Sequence, residues 1–302
     1  MNIVTPEGSD DIYRRILDKC IKLIDLKYWD GVEKEKLLAW AKKFQTQEEM
    51  YLAAAILNTL IYRSKAAVES LGANIFHIVL PQILSEEKIY EITSISDWEN
   101  RLKSPSLCRE LPFRFSAIES VDSLPGKSGS VIYRALRRKF FDTNLGINVS
   151  DFSSINSDKI KAVIFFDDML GSAGQFDSFA EKYSLDSMGF KIIYIPLAGH
   201  VNGIELIQKK YNNIIVSPVE KLDCNHSFFS AENRLLNSKN ISSLNEFETF
   251  YKAFCKKQKF KLKDITGHDG MALTYCFYDS TPNNNLALLW YKDEHWPEFF
   301  TR

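Results

Sequence analysis

The sequence has few cysteines, almost no excess charge and no long apolar run. Its five cysteines are scattered without a CxxC pair, which argues against both a disulfide framework and a zinc site. A net charge of −1 provides no global field to attract nucleic acid or an anionic membrane. No apolar run approaches the length needed to cross a bilayer, and the N-terminus lacks a signal-peptide pattern. We expect a soluble, cytoplasmic protein that does not bind membranes and meets nucleic acid only through a partner or a local patch.

Histidine is also scarce, and its spacing does not suggest a metal site. None of the five histidines lies three or four residues from another histidine. Paired imidazoles at such spacing are what a helix needs to hold zinc. We therefore assign no metal site built from protein ligands alone.

The 302 residues exceed one average domain, and the sequence pattern changes near residue 105. Between about residues 9 and 100, apolar residues recur at helical spacing. Within this stretch, Thr46 and Glu49 have the form of a capping box at the start of a helix. The pattern predicts a helical N-terminal region over residues 1–104.

Residues 105–302 alternate between apolar runs of strand length and helix-like stretches. The apolar runs cover residues 162–166, 191–197, 213–219 and 271–278. The helix-like stretches include residues 130–141, 175–188 and 202–211. This alternation predicts an α/β domain with a mostly parallel sheet.

One segment combines a predicted buried strand with residues that can bind a ligand. The continuous apolar run Ala162–Phe166 is typical of a strand covered on both faces, and two acids, Asp167 and Asp168, follow it directly. The small-residue loop that comes next consists of Gly171, Ser172, Ala173, Gly174 and Gln175. Ligands of open α/β sheets bind beyond the carboxyl ends of the strands, where helix N-termini point N–H groups at anions. The acids can accept from two ribose hydroxyls while the loop holds a phosphate.

A second loop precedes the helix that we expect near residue 130. It consists of Pro125, Gly126, Lys127, Ser128, Gly129 and Ser130. Its backbone amides and the Lys127 ammonium group are suited to a diphosphate. A solvent-exposed turn with a capping serine would explain the same residues.

The stretch AVIFFDDMLGSAGQ, residues 162–175, resembles the ribose-phosphate signature of type I phosphoribosyltransferases. That family usually has Thr-Thr-Gly-x-Thr in the loop, so this chain lacks two hydroxyl donors and has alanine in place of the central glycine. The form DD-x-x-GS-x-x-Q, with PGKSG upstream and PNNNLALLW near the end, is more similar to divergent phosphoribosyltransferase-like effectors of bacterial conflict systems, including some retron-associated ones.

The resemblance implies a phosphoribosyl donor bound with Mg²⁺. In it, Asp167 and Asp168 would hold the ribose hydroxyls, the small-residue loop the 5′-phosphate, and Gly126 to Gly129 the leaving pyrophosphate. It also implies antiviral defence as the setting and a protein partner bound through the helical N-terminal region. The acceptor stays unidentified.

Two other interpretations stay open. Gly126-Lys127-Ser128 is the last third of a Walker A loop, and VIFFDD resembles a Walker B strand, which would make the chain an NTP-binding hydrolase. Against it, Val121 occupies the position of the first Walker glycine, and the small-residue loop is left without a role. In the third interpretation, the chain binds a ribose phosphate or nucleotide without catalysis, as an interaction subunit.

Overall fold

A computed structural model describes residues 3–118 and 129–302 in full, and Ser128 by its backbone. The chain forms two compact units. Unit one comprises Met1–Ala67 and Asp223–Arg302, and unit two comprises Val68–Leu222. The predicted boundary near residue 105 lies inside unit two, so it does not coincide with a border between the units.

The N-terminal hundred residues are mainly helical, as predicted. The helices are α1 (Ser9–Asp25), α2 (Lys34–Ala41), α3 (Gln47–Thr59), α4 (Lys65–Asn74), α5 (Leu80–Glu86), α6 (Ile95–Lys103), α7 (Ser128–Phe140), α8 (Gly174–Lys182), α9 (Val201–Lys210), α10 (Leu244–Lys257) and α11 (Ala287–Trp290). The strands are β1 (Ile61–Arg63), β2 (Phe113–Ala117), β3 (Ala162–Leu170), β4 (Lys191–His200), β5 (Ile214–Val216), β6 (Glu220–Leu222) and β7 (Tyr275–Phe277). A π-helical segment, Ile75–Val79, joins α4 to α5.

Unit one has an aromatic core to which both ends of the chain contribute. The Phe44 ring stacks on Phe254 with 4.9 Å between centroids, and Trp296 meets Phe44 edge-on at 5.9 Å. β1 pairs in parallel with β7, so residues near 61 lie beside residues near 275. The predicted capping box forms at the start of α3, where Thr46 and Glu49 bond each other's backbone. Burial of each large aromatic side chain contributes about 1.5–3 kcal/mol to this core.

Unit two is built on a parallel sheet with the strand order β2-β3-β4-β5, and β6 pairs with β4 beyond the end of β5. Its helices alternate with its strands along the chain. The α/β fold class with a mostly parallel sheet is therefore confirmed.

Strand β3 is the centre of unit two, and each of its residues is buried. On one face Phe165 packs edge-on against Phe179 of α8, at 5.4 Å between centroids. On the other face Phe166 packs against Phe76, at 5.6 Å. The strand runs to Leu170, four residues past the predicted end, because the acids and the residues after them keep pairing with β4.

The helical stretch Lys65–Glu86 is long and apolar enough to cross a membrane by length and composition alone. The expectation that no segment meets this test was therefore wrong for this helix. The same test is also met by core helices of soluble proteins, and 39% of the apolar window of this helix is buried inside the structure. It is weak evidence for a membrane span.

Candidate functional site

The acidic pair, Asp167 and Asp168, lies near the carboxyl end of β3, between β2 and β4. The two side chains lie close enough for a hydrogen bond between their carboxyl groups. Only 4% of Asp167 and 7% of Asp168 is exposed. Buried carboxylates need hydrogen-bond donors, and these acids have them.

Both oxygens of Asp167 accept hydrogen bonds. Its Oδ1 accepts from the Asp168 backbone N–H at 3.0 Å, and its Oδ2 accepts from the Tyr194 hydroxyl of β4 at 3.0 Å. Asp168 Oδ1 in turn accepts from the Met169 N–H at 2.8 Å. These bonds fix the orientation of both carboxyl groups before any ligand arrives.

Burial raises the pKa of Asp167 well above its ordinary value, and the neighbouring charge of Asp168 raises it further. Burial likewise raises the pKa of the Tyr194 hydroxyl, and the negative charge of Asp167 raises it further. A ligand that donates hydroxyl hydrogens to the acidic pair would stabilise the ionised form. The acidic pair can therefore serve as charged acceptors for a ligand that brings hydrogen-bond donors or a cation.

The small-residue loop follows β3 directly and leads into α8. Ala173, at the N-cap of α8, has the positive φ of 71° that glycine adopts without strain, and no side chain caps this helix start. Gly174 and Gln175, the first residues of α8, are exposed. Uncapped amides at an exposed helix start can bind a phosphate oxygen.

Helix α9 supports this loop from behind. A Cβ atom added at Gly203, in the first turn of α9, would lie 2.2 Å from the Gly171 carbonyl oxygen and 3.2 Å from the Ala173 nitrogen. Only glycine permits so close an approach of the two backbones. The position of the loop therefore depends on Gly203.

The loop and the acidic pair are also joined through an aromatic stack. Phe176, in the first turn of α8, lies parallel to Tyr194 with 4.0 Å between centroids and 3° between planes. Tyr194 is the residue whose hydroxyl binds Asp167. One side chain of β4 thus contacts both parts of the site.

The second predicted loop is described in part. Gly126 and Lys127 lie outside the described residues, and Ser128 is the first residue of α7. A Cβ atom added at Gly129 would lie 3.4 Å from Asp167 Oδ1 and 3.2 Å from the Ile118 carbonyl oxygen. The structure therefore brings Gly129 of the second loop next to the acidic pair.

Sequence reasoning did not identify Tyr194 or Gly203. Tyr194 is the one residue with a polar group in the run IIYIPLA (192–198), and that interruption was its one available signal. His200, at the end of β4, is 4% exposed, and its Nδ1 accepts from the Asn202 N–H at 3.3 Å. It caps α9, a role that the histidine spacing alone could not reveal.

The described residues contain no group of three or more histidine, cysteine, aspartate or glutamate side chains that could hold a metal ion. The acidic pair does match the way Mg²⁺ is usually bound with phosphorylated ligands, through one or two carboxylates, waters and the ligand's own phosphates. The residues therefore fit a magnesium ion that arrives with a diphosphate.

Comparison with known proteins gives one family. The family model described as PRTase-CE matches residues 37–302. The match covers most of the chain and includes the acidic pair, both loops and most of unit one. No curated protein matches the chain.

Proposed function

This chain belongs to the PRTase-CE family and is phosphoribosyltransferase-like, and from that premise we propose that it binds the ribose phosphate of a phosphoribosyl diphosphate or nucleotide together with Mg²⁺. The observation that carries the proposal is the convergence of three features at one sheet edge. Gly129 of the second loop adjoins Asp167, and Asp167 is joined through Tyr194 to the helix that follows the small-residue loop.

In the proposed complex, Asp167 and Asp168 accept hydrogen bonds from the ribose hydroxyls. The amides of the small-residue loop hold the 5′-phosphate, and Gly126 to Gly129 hold the diphosphate. Magnesium bound to the diphosphate would neutralise charge on the leaving group. The ligand's own phosphates and waters, rather than a protein cage, would supply most of its coordination.

The proposed reaction transfers the ribosyl group. The bond between C1 of the ribose and the diphosphate oxygen breaks, the electron pair leaves with the diphosphate, and an acceptor atom forms a new bond to C1. Positive charge develops on the ribose ring in the transition state, so the carboxylates beneath the hydroxyls stabilise it. The proton lost by the acceptor goes to solvent or to the leaving diphosphate.

A nucleotide triphosphatase is the second candidate. One observation favours it: α7 begins at Ser128, directly after Gly126-Lys127, as a helix does after a P-loop. Lys127→Ala separates the two. It should weaken binding of phosphoribosyl diphosphate more than binding of ribose 5-phosphate, whereas ATP hydrolysis that is lost in this variant would establish the triphosphatase.

We further propose that the protein acts in the bacterial cytoplasm as an effector of antiviral defence. The five cysteines are all free, and four of them are buried, which suits a reducing compartment. A protein partner would bind the N-terminal helical region, where Leu26 and Tyr28 are 68% and 66% exposed. Exposed apolar side chains such as these can contribute to a contact surface.

A thermal-shift panel tests the ligand class. It should contain phosphoribosyl diphosphate, ribose 5-phosphate, ATP and GTP, each with and without Mg²⁺, because a ligand of the native state raises the apparent stability. We expect the largest shift with phosphoribosyl diphosphate and Mg²⁺. Release of pyrophosphate in the presence of an acceptor would separate an enzyme from a binding subunit that does not catalyse.

A further inference from the structure

A second cleft lies at the opposite edge of the unit-two sheet, where β2 and β3 begin. We call it the basic cleft; it is lined by Arg109, Glu110, Leu111, Arg114, Asn156, Lys159 and Ile160 and has a volume of about 420 Å³. Residues 162 and 167 of β3 are five positions apart, and a strand rises about 3.3 Å per residue. The basic cleft is therefore about 16 Å from the acidic pair, and the proposed ribosyl transfer does not use it.

Arg114 is the fixed element of the basic cleft. Its guanidinium group donates to the carbonyl oxygens of Leu111 at 2.9 Å, Phe113 at 2.6 Å and Arg109 at 3.3 Å. These three bonds hold the group in place and leave two of its five N–H donors for another acceptor. Burial lowers the pKa of Arg114, so a nearby anion would offset the cost of its charge.

The cleft holds more positive than negative charge. Arg109 donates from Nη2 to the uncharged Asn144 side chain at 3.1 Å, and Lys159 is exposed. The one acid that lines the cleft, Glu110, forms an ion pair at 3.5 Å with Arg101, which lies outside the cleft. Among residues 3–118 and 128–302, no carboxylate forms an ion pair with Arg109, Arg114 or Lys159.

We propose that the basic cleft binds the phosphate group of an anionic ligand. A pre-oriented guanidinium group with two remaining donors forms bidentate bonds with phosphate, and two flanking cations add charge. This is unexpected for a chain whose net charge is −1, because the positive charge is local. A free phosphate compound and the backbone of a nucleic acid share this chemistry.

The experiment uses the full chain and three probes. Inorganic phosphate and ATP are titrated by calorimetry, and a fluorescein-labelled single-stranded 12-nucleotide RNA by anisotropy at several salt concentrations. The test variant is Arg109→Gln/Lys159→Gln, which spares the half-buried Arg114. The matched control is Arg138→Gln/Lys209→Gln, which removes two exposed cations from other parts of unit two.

We expect the test variant to weaken binding of at least one probe by about tenfold or more, since each tenfold step corresponds to about 1.4 kcal/mol. The affinity of the control variant for each probe should stay within about twofold of the wild-type value. If the RNA is the ligand, the slope of log K against log salt should fall by about 1.4 on loss of two contacts. If only phosphate or ATP responds, the ligand is a small phosphate compound.

The proposal is overturned if no probe binds, or if the test variant and the control bind alike. Arg114→Lys provides a second variant, because it keeps the positive charge and removes the paired N–H donors of the guanidinium group. It should also weaken binding of the responding probe. In the Asp167→Asn background, Arg109→Gln/Lys159→Gln should weaken the responding probe by the same factor as in the wild type. That result separates failure of the basic cleft from failure of the proposed ribose-phosphate site.

Discussion

Tyr194 donates its hydroxyl hydrogen to Asp167 Oδ2 at 3.0 Å from the neighbouring strand, and both residues are buried. The same ring stacks on Phe176 at the start of α8. The orientation of the first acid and the position of the helix after the small-residue loop therefore depend on one side chain. This relationship connects the fold of unit two to its proposed chemistry.

Tyr194→Phe keeps the stack and removes the bond. It should lower the free energy of unfolding by about 1–3 kcal/mol, because a buried carboxylate oxygen loses its donor. It should also weaken ribose-phosphate binding, which calorimetry would measure. Tyr251→Phe is the matched control: the Tyr251 hydroxyl donates to the Ile265 carbonyl at 2.6 Å in unit one, so loss of this bond should reduce stability without affecting affinity.

Asp167→Asn should have an effect on stability that depends on pH. The folded-state pKa of Asp167 is raised, so its contribution to stability is full below the unfolded-state pKa and is lost as pH rises through the folded-state value. The Tm of the variant minus that of the wild type should therefore increase from pH 4 to pH 8. Thermal unfolding at several pH values measures this difference.

Glu49→Gln should show the opposite dependence of stability on pH. Burial raises the pKa of Glu49, but hydrogen bonds from Lys257 and from the backbone of Gln45 and Thr46 outweigh it, so the pKa lies below its usual value. Its contribution to stability is present at high pH and is lost as pH falls. The same Tm difference should decrease from pH 4 to pH 8. A flat or falling difference for Asp167→Asn would contradict the assigned burial.

Gly203→Ala tests the support of the small-residue loop by α9. The added methyl group would overlap the Gly171 carbonyl oxygen, so the loop must move, at a cost of about 1–3 kcal/mol. Binding of ribose 5-phosphate should weaken because the loop has moved. Gly189→Ala is the control, because its added Cβ would make ordinary contacts of 3.4 Å with Ser157. Equal effects of the two changes on affinity would show that the loop does not depend on α9.

Ala173→Gly restores the residue that the loop of type I phosphoribosyltransferases has at its centre. Alanine at φ 71° costs about 1–2 kcal/mol, and the greater backbone entropy of glycine offsets part of the gain. Stability should rise by up to about 1 kcal/mol while phosphate binding is kept. Ala180→Gly, inside α8, should instead destabilise by about 1 kcal/mol. Denaturant unfolding of both variants measures the contrast.

The sequence predicted β3, the acidic pair and the loop after it, because a continuous apolar run followed by acids and small residues is a local pattern. It did not predict the true end of β3, since Leu170 is held in the sheet by Gly199 of β4. The contact of Gly203 with Gly171 likewise joins segments that are distant in the sequence.

The organisation of unit one could not be predicted either. Its core combines Phe44 with Phe254 and Trp296, and its short strands β1 and β7 are more than two hundred residues apart. Composition changes mark where a chain alters its local pattern, as near residue 105. They do not reveal which distant segments pack together.

The most direct test of the central claim is calorimetric titration of phosphoribosyl diphosphate, with Mg²⁺, into the wild-type protein and into Asp167→Asn/Asp168→Asn. Both proteins must first show a cooperative thermal transition. We predict saturable binding to the wild type and none to the double variant, because neither side chain is then a charged acceptor for the ribose hydroxyls. Equal affinity of the two folded proteins, or no binding by the wild type, would contradict the assignment.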